Sequence, residues 1–181
     1  MLTRKHQNRR FNRLSYMAND GKAKAVLKKY LISRDHKITD DKENFSWDLS
    51  TIADSGCASF WEVEVKNQWG KVWNDNWKEV RIPQRKQRLI DKFYHETNNA
   101  KEFAQDNNMQ EFVRPFQLTF VVLNRHLDQG WFIPHDVLEK SPVQTIQNSR
   151  HVDAPHLKEP FFHVDVKHED IYKLKLDRMD D

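Results

Sequence analysis

The alternation of apolar and charged residues in segment 59–66, SFWEVEVK, constrains the fold more than any other feature of the sequence. Two valines alternate there with three charged residues: Val63 and Val65 with Glu62, Glu64 and Lys66. A period of two residues is typical of a β-strand. Because successive side chains of a strand point to opposite faces, the valines are predicted to enter a core. Two carboxylates and an amine then lie in one row on the other face.

Two amphipathic helices are predicted from apolar spacing. Asn19 or Asp20 can cap the first helix, and Pro83 suits the first turn of the second. The inner face of the first helix is predicted to be Ala23, Val26, Leu27, Tyr30 and Leu31, and that of the second Leu89, Ile90, Phe93 and Tyr94.

The remaining segments predict further strands. A short strand at 36–39 and a second at 45–51 precede the alternating strand, and the three together predict a meander. The nearly continuous apolar run 116–123 is typical of a central strand that is covered on both faces. Further strands are predicted at 131–133 and 161–166, and a short helix or strand at 171–177.

Length and composition predict one folded domain at residues 20–181, preceded by a basic arm at 1–19. Charged residues make up 31% of the 181-residue chain, but six Trp and eleven Phe require a core and argue against disorder. The first nineteen residues contain no acid. Their composition fits both an organelle transit peptide and a nucleic-acid-binding arm.

Several classes of protein are excluded or disfavoured. Cys57 is the only cysteine, which excludes intramolecular disulfides and cysteine-based zinc motifs and favours a reducing compartment. No apolar run approaches a membrane span or a secretory signal, so an intracellular, cytoplasmic protein is expected. P-loop, dinucleotide-binding and nucleophile-elbow motifs are absent. The C-terminal histidines match no compact metal motif: His151, His156, His163 and His168.

Asp48 lies on the strand predicted before the alternating strand. If the two strands pair, its carboxylate comes near that of Glu64. Such carboxylates repel unless a hard divalent cation lies between them, and magnesium prefers oxygen ligands. Lys66, farther along the same face, would lie near an attacking water or the negative charge that develops on a phosphate.

This arrangement resembles the PD-(D/E)XK, or restriction-endonuclease-like, nuclease superfamily. A helix, a three-strand meander, a helix and a strand (αβββαβ) form its core, and Trp47-Asp48 and Glu64-Val65-Lys66 match its two motif elements. The resemblance covers about residues 20–123 and leaves 124–181 as a C-terminal extension. It implies an α/β fold with a mixed sheet flanked by helices.

The resemblance also implies roles for single residues. Asp48 and Glu64, with the carbonyl of Val65, would bind Mg²⁺, for which Mn²⁺ would substitute, and Lys66 would assist the water. Gln68 matches a polar position beside the site, although a surface Gln is an equal alternative. Many members carry a helix-one Glu where this chain has Lys24, so a second metal would require Asp20 or Glu62.

Basic and aromatic residues follow the motif. Four basic residues near the start of the second helix are predicted to contact a nucleic-acid backbone, with a solvated helix face as the alternative: Arg81, Arg85, Lys86 and Arg88. Trp69, Trp73 and Trp77 could stack on bases, but a place in the core is favoured.

These features together predict a magnesium-dependent endonuclease acting on DNA, with structure-selective cleavage favoured over sequence-specific cleavage. RNA remains an alternative substrate, and a homodimer is compatible with the sequence. The competing predictions are a non-catalytic nucleic-acid-binding or assembly protein on the same fold, and a protein-interaction domain. No membrane partner is expected.

Overall fold

The structure, a computed structural model, describes the main chain of residues 13–42, 47–147 and 158–176, and the side chains of 20–42, 47–146 and 158–176. The helices are α1 (Arg13–Ile32), α2 (Gln87–Asp106) and α3 (His135–Lys140), with 3-10 turns at Gln84–Lys86 and Gln110–Phe112. The strands are β1 (His36–Asp40), β2 (Leu49–Ala53), β3 (Ala58–Lys66), β4 (Glu79–Pro83), β5 (Phe116–Asn124), β6 (Gln129–Pro134), β7 (Val143–Gln147), β8 (Lys158–Asp165) and β9 (Tyr172–Lys175).

The strands form two sheets in the described part of the chain. The larger has six strands in the order β1-β2-β3-β5-β6-β9, and the smaller has three in the order β4-β8-β7. β3 pairs in parallel with β5, whereas the other neighbours in the larger sheet are antiparallel. The parallel pair needs a crossover, and the chain from β4 through α2 supplies it. The protein is therefore mixed α/β with a mixed sheet flanked by helices, as predicted.

Two hydrophobic clusters cover the two faces of the larger sheet. The α1-side core joins Leu27 and Leu31 of α1 to Trp61 and Val63 of β3. The α2-side core contains residues of α2, α3 and the smaller sheet, and fully buried Trp69. Because β3 alternates, Glu62, Glu64 and Lys66 project towards the α2 side. Burying one large apolar side chain contributes about 1.5–3 kcal/mol, so each cluster ties its layer firmly to β3 and β5.

The elements that correspond to the predicted helix, meander, helix and strand occur in that order along the chain, but an additional strand, β4, lies between the meander and the second helix, and several boundaries differ. α1 begins at Arg13, so Asn19 and Asp20 lie inside the helix and do not cap it. β2 begins at Leu49, which places Asp48 just before the strand. Residues 1–12 of the predicted arm, and 45–46 of the predicted second strand, lie outside the described residues.

Other boundaries also differ from the predictions. Pro83 ends β4, a strand that was not predicted, and does not begin a helix. β3 ends at Lys66, so Gln68 lies in the following turn and not on the strand. Segment 171–177 contains a strand, β9. α3 and β7 occupy a stretch whose sequence has no clear periodicity. Among the helices described here, none is long and apolar enough to cross a membrane.

Candidate active site

Asp48 is held against the middle of β3 by two hydrogen bonds. Its main-chain N–H donates to the carbonyl of Trp61 at 2.9 Å, and its Oδ2 accepts from the main-chain N–H of Val63 at 2.8 Å. Oδ2 of Asp48 therefore accepts the hydrogen bond that a main-chain carbonyl would accept if β2 continued along β3. The carboxylate of Asp48 is fixed beside the peptide that joins Glu62 to Val63, one residue before Glu64, the second predicted metal ligand.

Lys24 of α1 contacts the other oxygen of Asp48. Its Nζ lies 3.1 Å from Oδ1, and the two side chains are only 15% and 17% exposed. Lys24 lies one turn after Asp20, on the part of the helix where the nuclease superfamily often carries a Glu. Here an ammonium group, not a third carboxylate, therefore faces Asp48.

Glu62 is the central acid of this site. Its side chain is 9% exposed and forms an ion pair with Lys86, in the 3-10 turn before α2. Burial raises the pKa of Glu62 to about 7; the negative charges of Asp48 and Glu64 add to the rise, and the ammonium of Lys86 opposes it.

Lys86 experiences the opposite balance. Burial by itself disfavours its ammonium form, but the charges of Glu62, Glu64 and Asp48 outweigh burial and raise the pKa of Lys86 above its usual value. Both pKa values are raised because negative charges outnumber positive ones here. Lys86 lies near three carboxylates, whereas Glu62 lies near one ammonium and two other carboxylates. Lys86 is therefore held as a cation inside the site.

Lys66 is the last residue of β3 and lies on the same face as Glu62 and Glu64. Burial lowers the pKa of its amine, and Arg81 adds to that effect, while Glu64 and Glu79 oppose it. A lysine whose pKa is lowered by burial loses its proton more readily than an exposed lysine does. In this respect Lys66 differs from Lys86, whose pKa is raised.

A second charged group lies beyond Lys66, between β4 and β8. Glu79 Oε1 accepts hydrogen bonds from Arg81 Nε at 3.0 Å and Nη2 at 2.9 Å, and lies 2.8 Å from Nδ1 of His163. The ring nitrogens of His163 lack a well-directed hydrogen bond within the described residues, so its contact with Glu79 is mainly electrostatic. Partial burial alone would raise the pKa of Glu79, but Arg81 and His163 lower it.

The structure places the predicted site residues in three groups. Asp48, Lys24, Glu62, Glu64, Lys86 and Lys66 form one continuous charged site, because each acts on a neighbour through a contact or its charge. Arg81 and Arg85 lie at its edge and pair with Glu79 and Glu159. Gln68 and Arg88 are exposed, and Asp20 is half-buried on α1.

Sequence reasoning underestimated four members of this region. Glu62 was treated as an accessory and Lys86 as a backbone contact, yet they form the central ion pair. Glu79 and His163 were not predicted. The alternation of segment 79–82, EVRI, is a signal that could have identified Glu79 as part of a strand. His163 lies in a predicted strand, but no local pattern pairs it with Glu79.

The tryptophans lie where the core interpretation placed them. Trp69 and Trp73 are buried in the α2-side core, and half-buried Trp77 packs against it. Trp73 makes edge-to-face contacts with Trp69, Trp77 and Trp131, at centroid distances of 5.0, 5.1 and 5.6 Å. These rings fill the space above β5 and β6, and stacking on bases is not needed to explain them.

Asp48, Glu62 and Glu64 are the carboxylates of this site that act on one another through their charges. Within residues 20–42, 47–146 and 158–176, no group of three or more His, Cys, Asp or Glu is arranged to hold a metal ion. Magnesium usually binds proteins through one or two carboxylates, completed by water and substrate phosphate. The repulsion that Asp48 and Glu64 impose on Glu62 is the kind of interaction that such a cation relieves.

No family model, no curated protein and no solved structure matches this chain.

Proposed function

We propose that this protein is a magnesium-dependent endonuclease that hydrolyses phosphodiester bonds of DNA on a restriction-endonuclease-like core. The observation that carries the proposal is the fixed position of Asp48, whose carboxylate is bound to the amide of Val63 beside Glu62 and Glu64. Lys66, with its lowered pKa, ends the same row. Two carboxylates and a lysine placed in this way suit metal-assisted hydrolysis.

Different residues of the site would have different roles in such a reaction. Asp48, Glu64 and the carbonyl of Val65 would hold Mg²⁺ or Mn²⁺, which when bound neutralises developing negative charge and acidifies water. Lys66, whose amine has a pKa lowered by burial, would orient the attacking water and assist removal of its proton. Lys86 keeps Glu62 in place and supplies positive charge near the phosphate. The buried setting strengthens each of these electrostatic effects.

A non-catalytic nucleic-acid-binding protein is the second candidate. Lys24 and Lys86 already pair with Asp48 and Glu62. The charges of this site are therefore largely balanced without a metal. A nuclease must let a divalent cation compete with Lys24 for Asp48, whereas a binding protein keeps the ion pair as a structural link between α1 and β3.

Cleavage assays separate the two candidates. Single-stranded, double-stranded and branched DNA, and RNA, are incubated with the protein and Mg²⁺ or Mn²⁺. We expect Asp48→Asn and Lys66→Met each to reduce the cleavage rate by at least about a hundredfold, because both remove groups that act in the transition state. Asp106→Asn and Lys101→Met, at exposed positions of α2, are the matched controls.

A binding measurement completes the test. Mn²⁺ should raise the melting temperature of the wild type in a concentration-dependent way, and Asp48→Asn should abolish the effect, because only the folded state offers the site. Cleavage that survives both site substitutions would disprove the site assignment. Salt-sensitive DNA binding without cleavage by any preparation would favour the second candidate.

A further inference from the structure

Four exposed cations lie together at the edge of the larger sheet formed by β9 and the loops beside it. They are Lys71, Arg125, Lys173 and Lys175, called here the β9-edge patch. Within the described residues none of them forms an ion pair with a carboxylate. Three of the four cations expected from the sequence to meet phosphate, Arg81, Arg85 and Lys86, each have a carboxylate partner.

Hydrogen bonds and strand register bring the four residues together. The carbonyl of Lys71 accepts from Gln129 Nε2 at 2.6 Å, and Gln129 is the cross-strand neighbour of Lys175. The main-chain N–H of Arg125 donates to the carbonyl of Trp69 at 3.0 Å, which fixes the β5–β6 turn against the loop that carries Lys71.

The lysines of β9 lie on the same face of the sheet as the active site. Lys173 is the cross-strand neighbour of Trp131, and its Nζ lies 5.7 Å from the centroid of that ring. Trp131 belongs to the α2-side core, so Lys173 and Lys175 project to the α2 side. Glu62, Glu64 and Lys66 project to that side as well.

The patch continues from the end of the catalytic row. Lys66 is the cross-strand neighbour of Asn124, which immediately precedes Arg125. From β3 to β9 there are three strand spacings, or about 14 Å, a length that covers about four nucleotides of a strand. The nearby carboxylate of Asp128 is turned inward and accepts a hydrogen bond from buried Asn124 at 2.6 Å.

We infer that the β9-edge patch binds the phosphate backbone of a nucleic acid and leads that strand to Lys66. This inference deepens the proposed function, since it names the surface by which the substrate reaches the same site. Unpaired lysines and an arginine in a row suit phosphates, which fix position and register without reading sequence. Affinity from such contacts is strongly salt-dependent, because each neutralised phosphate releases counterions.

The test is DNA binding in EDTA, where no metal-dependent cleavage occurs. Fluorescence anisotropy with single- and double-stranded DNA is measured at several salt concentrations for the wild type and for a variant with all four patch residues changed to Gln. A matched control variant changes three lysines and one arginine far from the patch, on α1, in the turn after it and at the β1 edge of the larger sheet, also to Gln: Lys29, Arg34, Lys37 and Lys42. These four residues are exposed and have no ion pair within the described residues. Arg34 lies over the ring of Tyr30, which matches the position of Lys173 over the ring of Trp131.

The patch variant should bind duplex DNA at least about tenfold more weakly, and its log–log salt slope should be shallower by about 3 to 4, because up to four phosphate contacts are lost. The control should keep the wild-type slope. Equal affinity and slope for the two variants, with circular dichroism showing both folded, would overturn the inference. If the patch effect is found but no preparation cleaves nucleic acid with Mg²⁺ or Mn²⁺, the surface stands and the proposed nuclease activity fails.

Discussion

Glu62→Gln should make stability less dependent on pH. Glu62 has a usual pKa of 4.5, and burial, with Asp48 and Glu64 nearby, raises it to about 7 in the folded protein. The folded state therefore holds this proton more tightly than the unfolded state. The resulting stabilisation is fully present below pH 4.5 and is lost as the pH rises through about 7.

The magnitude follows from the size of that pKa change. A difference of one pKa unit is worth about 1.4 kcal/mol, so the full effect is about 3 kcal/mol, most of which falls between pH 5 and pH 8.5. The Glu62 side chain is only 9% exposed, so solvent screens it little. Gln keeps an amide oxygen that can accept from Lys86 but does not titrate.

Urea denaturation of the wild type and Glu62→Gln in EDTA, at half-unit steps from pH 5 to pH 8.5, measures this difference. Across this range the wild type should lose about 2–3 kcal/mol relative to the variant. Glu102→Gln makes the same chemical change at an exposed position of α2 and serves as the control. A wild-type advantage that grows with pH would show that the ion pair with Lys86 dominates and that Glu62 is anionic throughout.

Two further predictions concern the support of the site. Asn124→Ala should lower the free energy of unfolding by about 3 kcal/mol, since it removes four side-chain hydrogen bonds of buried Asn124 and leaves their half-buried partners unsatisfied. Exposed Asn99→Ala is the control, and equal urea midpoints would contradict this reasoning. Gly130→Ala should cost about 1–3 kcal/mol, because its Cβ would lie 2.8 Å from a methyl of fully buried Leu123. Gly21→Ala, in open space on α1, should instead stabilise by up to about 1 kcal/mol; a thermal melt that shifts both variants in the same direction would refute the packing argument.

The elements that could be predicted from the sequence are those with local periodicity. β3 follows from its valines, the inner face of α1 from Leu27 and Leu31, and the central position of β5 from the apolar run 116–123. Such patterns reflect which face of a single segment is buried. They indicated that Glu62, Glu64 and Lys66 share a face before any pairing was known.

The contacts that could not be predicted depend on how distant elements pack. The ion pair of Lys86 with Glu62 depends on where the 3-10 turn before α2 meets β3. The contact of His163 with Glu79 follows from the pairing of β4 with β8, which places Arg81 opposite His163. Neither partner carries a local signal of the other, because long-range pairing is set by the whole core.

The alternation in β3 also fixes the alignment of the chain. If β3 moved one position relative to β5, Glu62 and Glu64 would enter the α1-side core opposite Leu27, and Val63 would face Lys86. Burying two carboxylates without partners would cost several kcal/mol, so the shifted arrangement is strongly disfavoured. The charged residues proposed for catalysis therefore also exclude misaligned versions of the central sheet while the protein folds.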